Sequence, residues 1–142
     1  MSKNLDVVKT WFRRVWTEED ETAIDEMLVP ETEAMGLASK TLIGPEGFKA
    51  FHRSFLANLS DFDIQIDRYL EDGEWASVLV TLNAKRRDNG ADVKTTGNVY
   101  LKIIDGKLVQ GANHFDFIGL LEQLDKLPER TFERCLAGEK FR

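Results

Sequence analysis

A single cysteine, Cys135, leaves the sequence without a possible internal disulfide or a thiolate cluster for a metal. A lone thiol in an unstapled chain points to a reducing, cytoplasmic setting. Three prolines are too few for a linker-rich or disordered chain. No apolar run approaches the roughly 18 residues of a membrane-crossing helix, so no membrane is expected as a partner. The opening MSKNLDVVKTWFRRVW has no unbroken apolar stretch and does not read as a secretory signal. Positive charge is also short. Nineteen Lys and Arg face 25 Asp and Glu, a net charge of −6, and no basic cluster is interleaved with aromatics. A nucleic acid needs concentrated positive charge, so it is excluded as a partner. The acidic runs Glu18-Glu19-Asp20-Glu21 and Glu71-Asp72 read as solvated and turn segments without metal-ligand geometry. A small neutral or cationic molecule is easier to accommodate.

The 142 residues suit one domain, and 42% apolar content is enough for a real core. Leu5, Val8, Phe12, Val15 and Trp16 recur at helical spacing, which predicts a first amphipathic helix from about Asn4 to Trp16. Ala23, Ile24, Met27 and Leu28 give a short second helix ended by Pro30. Residues 34–38 read as a short strand. Gly44-Pro45-Glu46-Gly47 leads into a third helix, since proline suits a first helical turn. Phe48, Phe51, Phe55, Leu56 and Leu59 mark its buried stripe.

After residue 60 the period falls to two. Phe62, Ile64 and Ile66 alternate with Asp63, Gln65 and Asp67. Three turn signals, EDG at 71–73, DNGAD at 88–92 and Asp105-Gly106, separate four strands. Helices first and hairpin-linked strands afterwards predict an α+β fold with an antiparallel sheet. The long strands are apolar on both sides. Trp75, Leu79 and Thr81 oppose Ala76, Val78, Val80 and Leu82, and Asn98, Tyr100 and Lys102 oppose Val99, Leu101 and Ile103. A sheet with one wet face alternates more cleanly. One face therefore covers the helices, and the other is expected to meet a second copy in a homodimer.

The segment GPEGFKAFHRSFLANLSDFDIQIDRYLEDGEWASVLVTL, followed by KIIDGKLVQ and FDFIGLLEQLDKLP, resembles the SnoaL-like (polyketide cyclase-like) branch of the nuclear transport factor 2-like superfamily. The likeness covers roughly residues 5–128. It divides the chain into one SnoaL-like domain, 1–128, and a short tail, 129–142, in which Phe132, Cys135 and Leu136 form an amphipathic stripe. The resemblance implies a cone: a curved sheet wrapped around N-terminal helices, with a pocket at its open end. It implies a small, mostly apolar carbonyl compound as ligand, and ring closure by acid/base chemistry without metal or cofactor.

The resemblance also places the family's acid/base aspartate on Asp116. The residues themselves allow a second role, because aspartate is a favoured N-cap and a helix begins at Phe117. His114 shares a strand face with Asp116 if the alternation persists, and reads either as its partner or as a solvated strand end. Asn98, Tyr100 and Lys102 either line the pocket or lie on the outside. His52, on the third helix, borders the core and reads chiefly as a structural histidine. Trp11, Phe12 and Trp16 read as core, with one available as a pocket wall. Two departures from the family pattern stand out. Gln110 and Ala112 occupy the places of a Glu and a Trp, and the short KRRDNGADVKT hairpin replaces an insert that carries a histidine. Two functions follow. One is a cofactor-free enzyme of cyclase, isomerase or hydrolase type working through Asp116. The other is a small-ligand-binding or dimerisation module that keeps the cone alone.

Overall fold

A computed structural model describes residues 2–142. The chain opens with α1 (Lys3–Trp11), capped by Ser2, whose side chain accepts from the Leu5 N–H. The expected single helix to Trp16 does not continue regularly. Phe12–Thr17 widens into a π-helical turn closed by Glu18 N–H on the Arg13 carbonyl. The Asp20 N–H reaches back to Arg14 rather than to Val15, and the Val15 carbonyl accepts instead from His52 Nε2 at 2.7 Å. A side chain from another helix thus takes over a backbone bond, a recognised origin of such bulges.

After α2 (Thr22–Met27) the chain enters β1 (Leu28–Met35), and β2 (Leu42–Ile43) folds against it. The first strand was expected later, at 34–38, because Pro30 reads as a helix stop. Pro30 instead lies within β1, where the pairing is irregular between Leu28 and Glu33. A proline without an N–H is tolerated at such a break. The buried Thr32 bridges the gap: its Oγ1 accepts from Val29 N–H and donates to the Leu108 carbonyl at 2.7 Å. Then follow α3 (Gly44–Asn58), β3 (Leu59–Asp72), β4 (Trp75–Arg86), β5 (Asp92–Ile104), β6 (Lys107–Phe115), α4 (Phe117–Gln123) and α5 (Thr131–Leu136).

The six strands form one sheet in the order β2-β1-β6-β5-β4-β3. The four long hairpin-linked strands are antiparallel, as their turns predict. The sheet is not antiparallel throughout, however, because β1 runs parallel to β6. That pairing joins residues about 80 apart, beyond the reach of local turn signals. The sheet curves around α1, the π turn and α3. Its inner face carries Ala76, Val78, Val80 and Leu82 from β4 and Val99, Leu101 and Ile103 from β5, all buried. The outer face carries Leu79 and Tyr100, each 44% exposed, and Leu70 at 62%. In the tail, the Arg130 N–H is tied to Glu122 at 2.7 Å, while Phe132 and Leu136 are exposed rather than packed on the domain.

One irregularity decides what β6 presents. The hairpin after Asp105-Gly106 pairs Ile104 with Lys107 and Ile103 with Leu108, but Lys102 then pairs with Gln110. Val109 is an extra residue, a β-bulge. Beyond it Leu101 faces Gly111, Val99 faces Asn113 and Gly97 faces Phe115. A shift of one residue exchanges the two faces of a strand, so Asn113 and Phe115 turn inward while Ala112 and His114 turn outward.

Candidate functional site

The inner face and the helices do not meet fully. Between them lies an apolar cavity of about 70 Å3 with a mouth open to solvent. Aromatic rings build most of it. Trp11, Phe12 and Trp16 come from the first helical segment, and Phe48, Phe51 and Phe55 from α3. Trp16 is the hub, with ring centres of Phe55 and Phe62 at 5.5 and 5.4 Å and Phe48 at 6.1 Å. Its rings with Phe48 and Phe55 meet edge to face, the arrangement favoured by the ring quadrupoles. Phe115 and Phe117 stack at 5.6 Å and close the β6–α4 side. Gly97 makes room for this: a Cβ there would collide with the Phe115 ring.

Polar groups are few. Thr32 borders the cavity, but its hydroxyl is already used as both donor and acceptor. Asn113 borders it too, with Nδ2 donating to the Met35 carbonyl at 3.0 Å. Glu33 is the one residue with an ionisable side chain along the wall, and it is exposed. Among the described residues, no three His, Cys, Asp or Glu side chains converge as metal ligands, and no helix is long and apolar enough to cross a membrane.

The residues singled out by sequence fall into three places. Phe12 and Trp16 are in the cavity wall. His52 is buried behind it, 1% exposed, bracing the π turn through Val15 with its ring 4.9 Å from Trp16. It therefore belongs to the scaffold and not to the wall. The others lie outside. Asn98, Tyr100 and Lys102 share the outer face of β5. Asn98 bonds Ser77, Tyr100 stacks on Trp75 at 4.8 Å, and Lys102 lies 5.7 Å over the Trp75 ring. His114 is exposed, in register with Asn98. Alternation with the buried Val99, Leu101 and Ile103 puts the three β5 side chains outside, and the Val109 bulge puts His114 on the same outer face.

Asp116 is exposed and caps α4. Its Oδ1 accepts from the Gly119 N–H at 2.9 Å. Its backbone ties the junction to β5 through Thr96 and Thr95. Among the described residues no side chain donates to its carboxylate, and it does not border the cavity. Of the two roles open to this residue, the cap is the one the geometry displays. Gly119 serves the cap, since a Cβ there would strike the carboxylate. Sequence reasoning missed Asn113 and the Phe115–Phe117 pair. The one available signal was parity, which the bulge reverses.

A family model described as SnoaL-like polyketide cyclase matches residues 6–124. The chain belongs to the SnoaL-like family. Comparison with curated proteins gives no match. Among solved structures, TsrD from Streptomyces laurentii is 20% identical over 89% of this chain and 99% of its own, with a TM-score of 0.73. A nuclear transport factor 2-like protein of unknown function from Burkholderia pseudomallei is 21% identical over 87% of this chain and 98% of its own, TM-score 0.74. A protein with a ketosteroid isomerase-like fold from Catenulispora acidiphila, in complex with trimethylamine, is 12% identical over 86% and 97%, TM-score 0.73. At these identities the likeness establishes the fold: an α+β cone of the nuclear transport factor 2-like type.

Proposed function

We propose that this SnoaL-like chain binds a small, mostly apolar molecule in the cone, and that Asp116 contributes a helix cap rather than acid/base catalysis. The observation that carries the reading is the separation of the two features. The open, ring-lined space lies on the inner face, and the family's acid/base position lies exposed at the α4 start, engaged by Gly119. A general base must reach the proton it removes, directly or through one water. Asp116 does not border the cavity, although its neighbours Phe115 and Phe117 do. The absence of the family's Glu and Trp, at Gln110 and Ala112, points the same way. The outer face supports a further expectation. Leu79, Tyr100 and the Trp75 stack offer a second copy an apolar surface, so the binding form is a homodimer joined through the sheet.

The test is direct binding. Trp11 and Trp16 border the cavity, so apolar bicyclic probes should quench tryptophan fluorescence in a Trp75→Phe background, in which the tryptophan of the outer face is removed. Ile64→Trp enlarges a half-buried wall residue and should weaken binding at least tenfold by filling the space. Equal affinity in the folded Ile64→Trp protein would place the ligand elsewhere. Turnover of a carbonyl compound that is lost in Asp116→Asn would restore the catalytic reading.

A further inference from the structure

We infer that the cavity selects apolar molecules carrying one hydrogen-bond donor, a hydroxyl or N–H, and that Asn113 Oδ1 is the atom that reads it. The inference rests on the binding role proposed above and adds the ligand's polar requirement. An asparagine amide has two donors and a carbonyl acceptor, and its orientation is normally ambiguous. Here the Met35 carbonyl removes the ambiguity: only Nδ2 can face it. Oδ1 must then point away from Met35, and it accepts no hydrogen bond among the described residues.

The backbone holds this amide in place. Gly36 follows Met35 with φ +86°, and a Cβ there would collide with the Asn113 carbonyl. Glycine therefore lets the end of β1 lie against Asn113 and fixes the Met35 carbonyl opposite Nδ2. Two residues earlier on the same inner face, Gly111 leaves the floor open. A Cβ there would meet Leu101 Cδ2 at 3.2 Å and Asn113 Nδ2 at 4.0 Å. The approach to the amide is thus bounded by Leu101 and free of any side chain at 111.

Of the other polar residues along the wall, Gln110 stands in register with Lys102 of the outer face, and Glu33 is exposed. Thr32 Oγ1 is saturated by Val29 and Leu108. His52 Nδ1 has no partner, but His52 does not border the cavity. A ligand donor buried against rings alone would forfeit its bond to water, which is costly. Oδ1 offers the replacement.

Three substituted naphthalenes test this: 2-naphthol, which can donate and accept; 2-methylnaphthalene, of the same size, which can do neither; and the slightly larger 2-methoxynaphthalene, which can only accept. Calorimetric or NMR titration of the wild type should rank 2-naphthol tightest, by roughly three- to tenfold, the usual net worth of one neutral hydrogen bond. Asn113→Leu should bind 2-methylnaphthalene at least as well and lose the preference for 2-naphthol. Should Asn113→Leu fail to fold, the wild-type ranking alone decides. No preference for 2-naphthol in the wild type overturns the inference while leaving the binding role intact. Tightest binding of 2-methoxynaphthalene would assign the contact to the remaining Nδ2 hydrogen and also overturn it. A preference that survives in Asn113→Leu shows the donor is read elsewhere. Binding of none of the three by the wild type refutes the binding role itself, and the selectivity with it.

Discussion

Replacing Asp116 separates its two possible roles by sign and size. In Asp116→Ala the α4 helix loses its side-chain cap, the 2.9 Å bond to the Gly119 N–H. Cap removal costs about 0.5–2 kcal/mol. Little burial is lost, because the residue is exposed. Asparagine is an equally good cap but removes the favourable charge at the helix N-terminus, so Asp116→Asn should cost only about 0.3–1 kcal/mol. At roughly 2.1 cal/mol/K per residue, unfolding of a chain this long carries about 0.3 kcal/mol/K, so each kcal/mol lowers Tm by roughly 3 °C. Calorimetric scans at neutral pH should therefore give wild type above Asp116→Asn above Asp116→Ala, spanning about 2–6 °C. Affinity for apolar probes should be unchanged in both, because the carboxylate lies outside the cavity. Either an unaltered Tm in Asp116→Ala or a large loss of probe affinity would refute this assignment.

Two further expectations concern the sheet. Burial, then the Glu71 carboxylate that its hydroxyl donates to, push the Tyr69 phenol up to about 12. The folded state thus holds this proton more tightly than the unfolded chain, whose tyrosines titrate near 10. The contribution to stability is complete below pH 10 and drains away as pH rises toward 12. The tyrosinate difference spectrum of wild type against Tyr69→Phe should be centred near 12; a midpoint near 10 would contradict the burial. Leu79→Arg, at the centre of the outer face, should convert a wild-type dimer to monomer in light scattering after gel filtration. A wild type that is already monomeric at high concentration would remove the homodimer from the account.

Much of the fold was legible because its signals are local. The hairpins follow from Asp105-Gly106 and Asn89-Gly90, and α3 from Pro45 and the phenylalanine spacing. What was not legible is non-local. The parallel β1–β6 pair depends on residues far apart in sequence, and Pro30 masks the start of β1. The π turn depends on His52, 37 residues away from Val15. The site suffered most. Trp16 and Phe12 were found because aromatic residues on an amphipathic helix face inward. Asn98, Tyr100 and Lys102 were placed together on one face of their strand without a choice between inside and outside, and His114 was paired with Asp116 by an alternation that the uncounted Val109 interrupts. A bulge leaves no mark in composition or periodicity, so it defeats any argument from alternation downstream of it.

The same bulge has an evolutionary reading. Beyond Val109 two sets of side chains ride on alternate positions of β6, Asn113 with Phe115 and Ala112 with His114, and Asp116 follows at the cap of α4. Loss of the single codon for Ala112 would move His114 into the place of Asn113 and Asp116 into that of Phe115. An ionisable pair would then line the cone, and the amide would face the solvent. Within one scaffold, the loss of three nucleotides exchanges which of these side chains line the cone, with every other residue type kept.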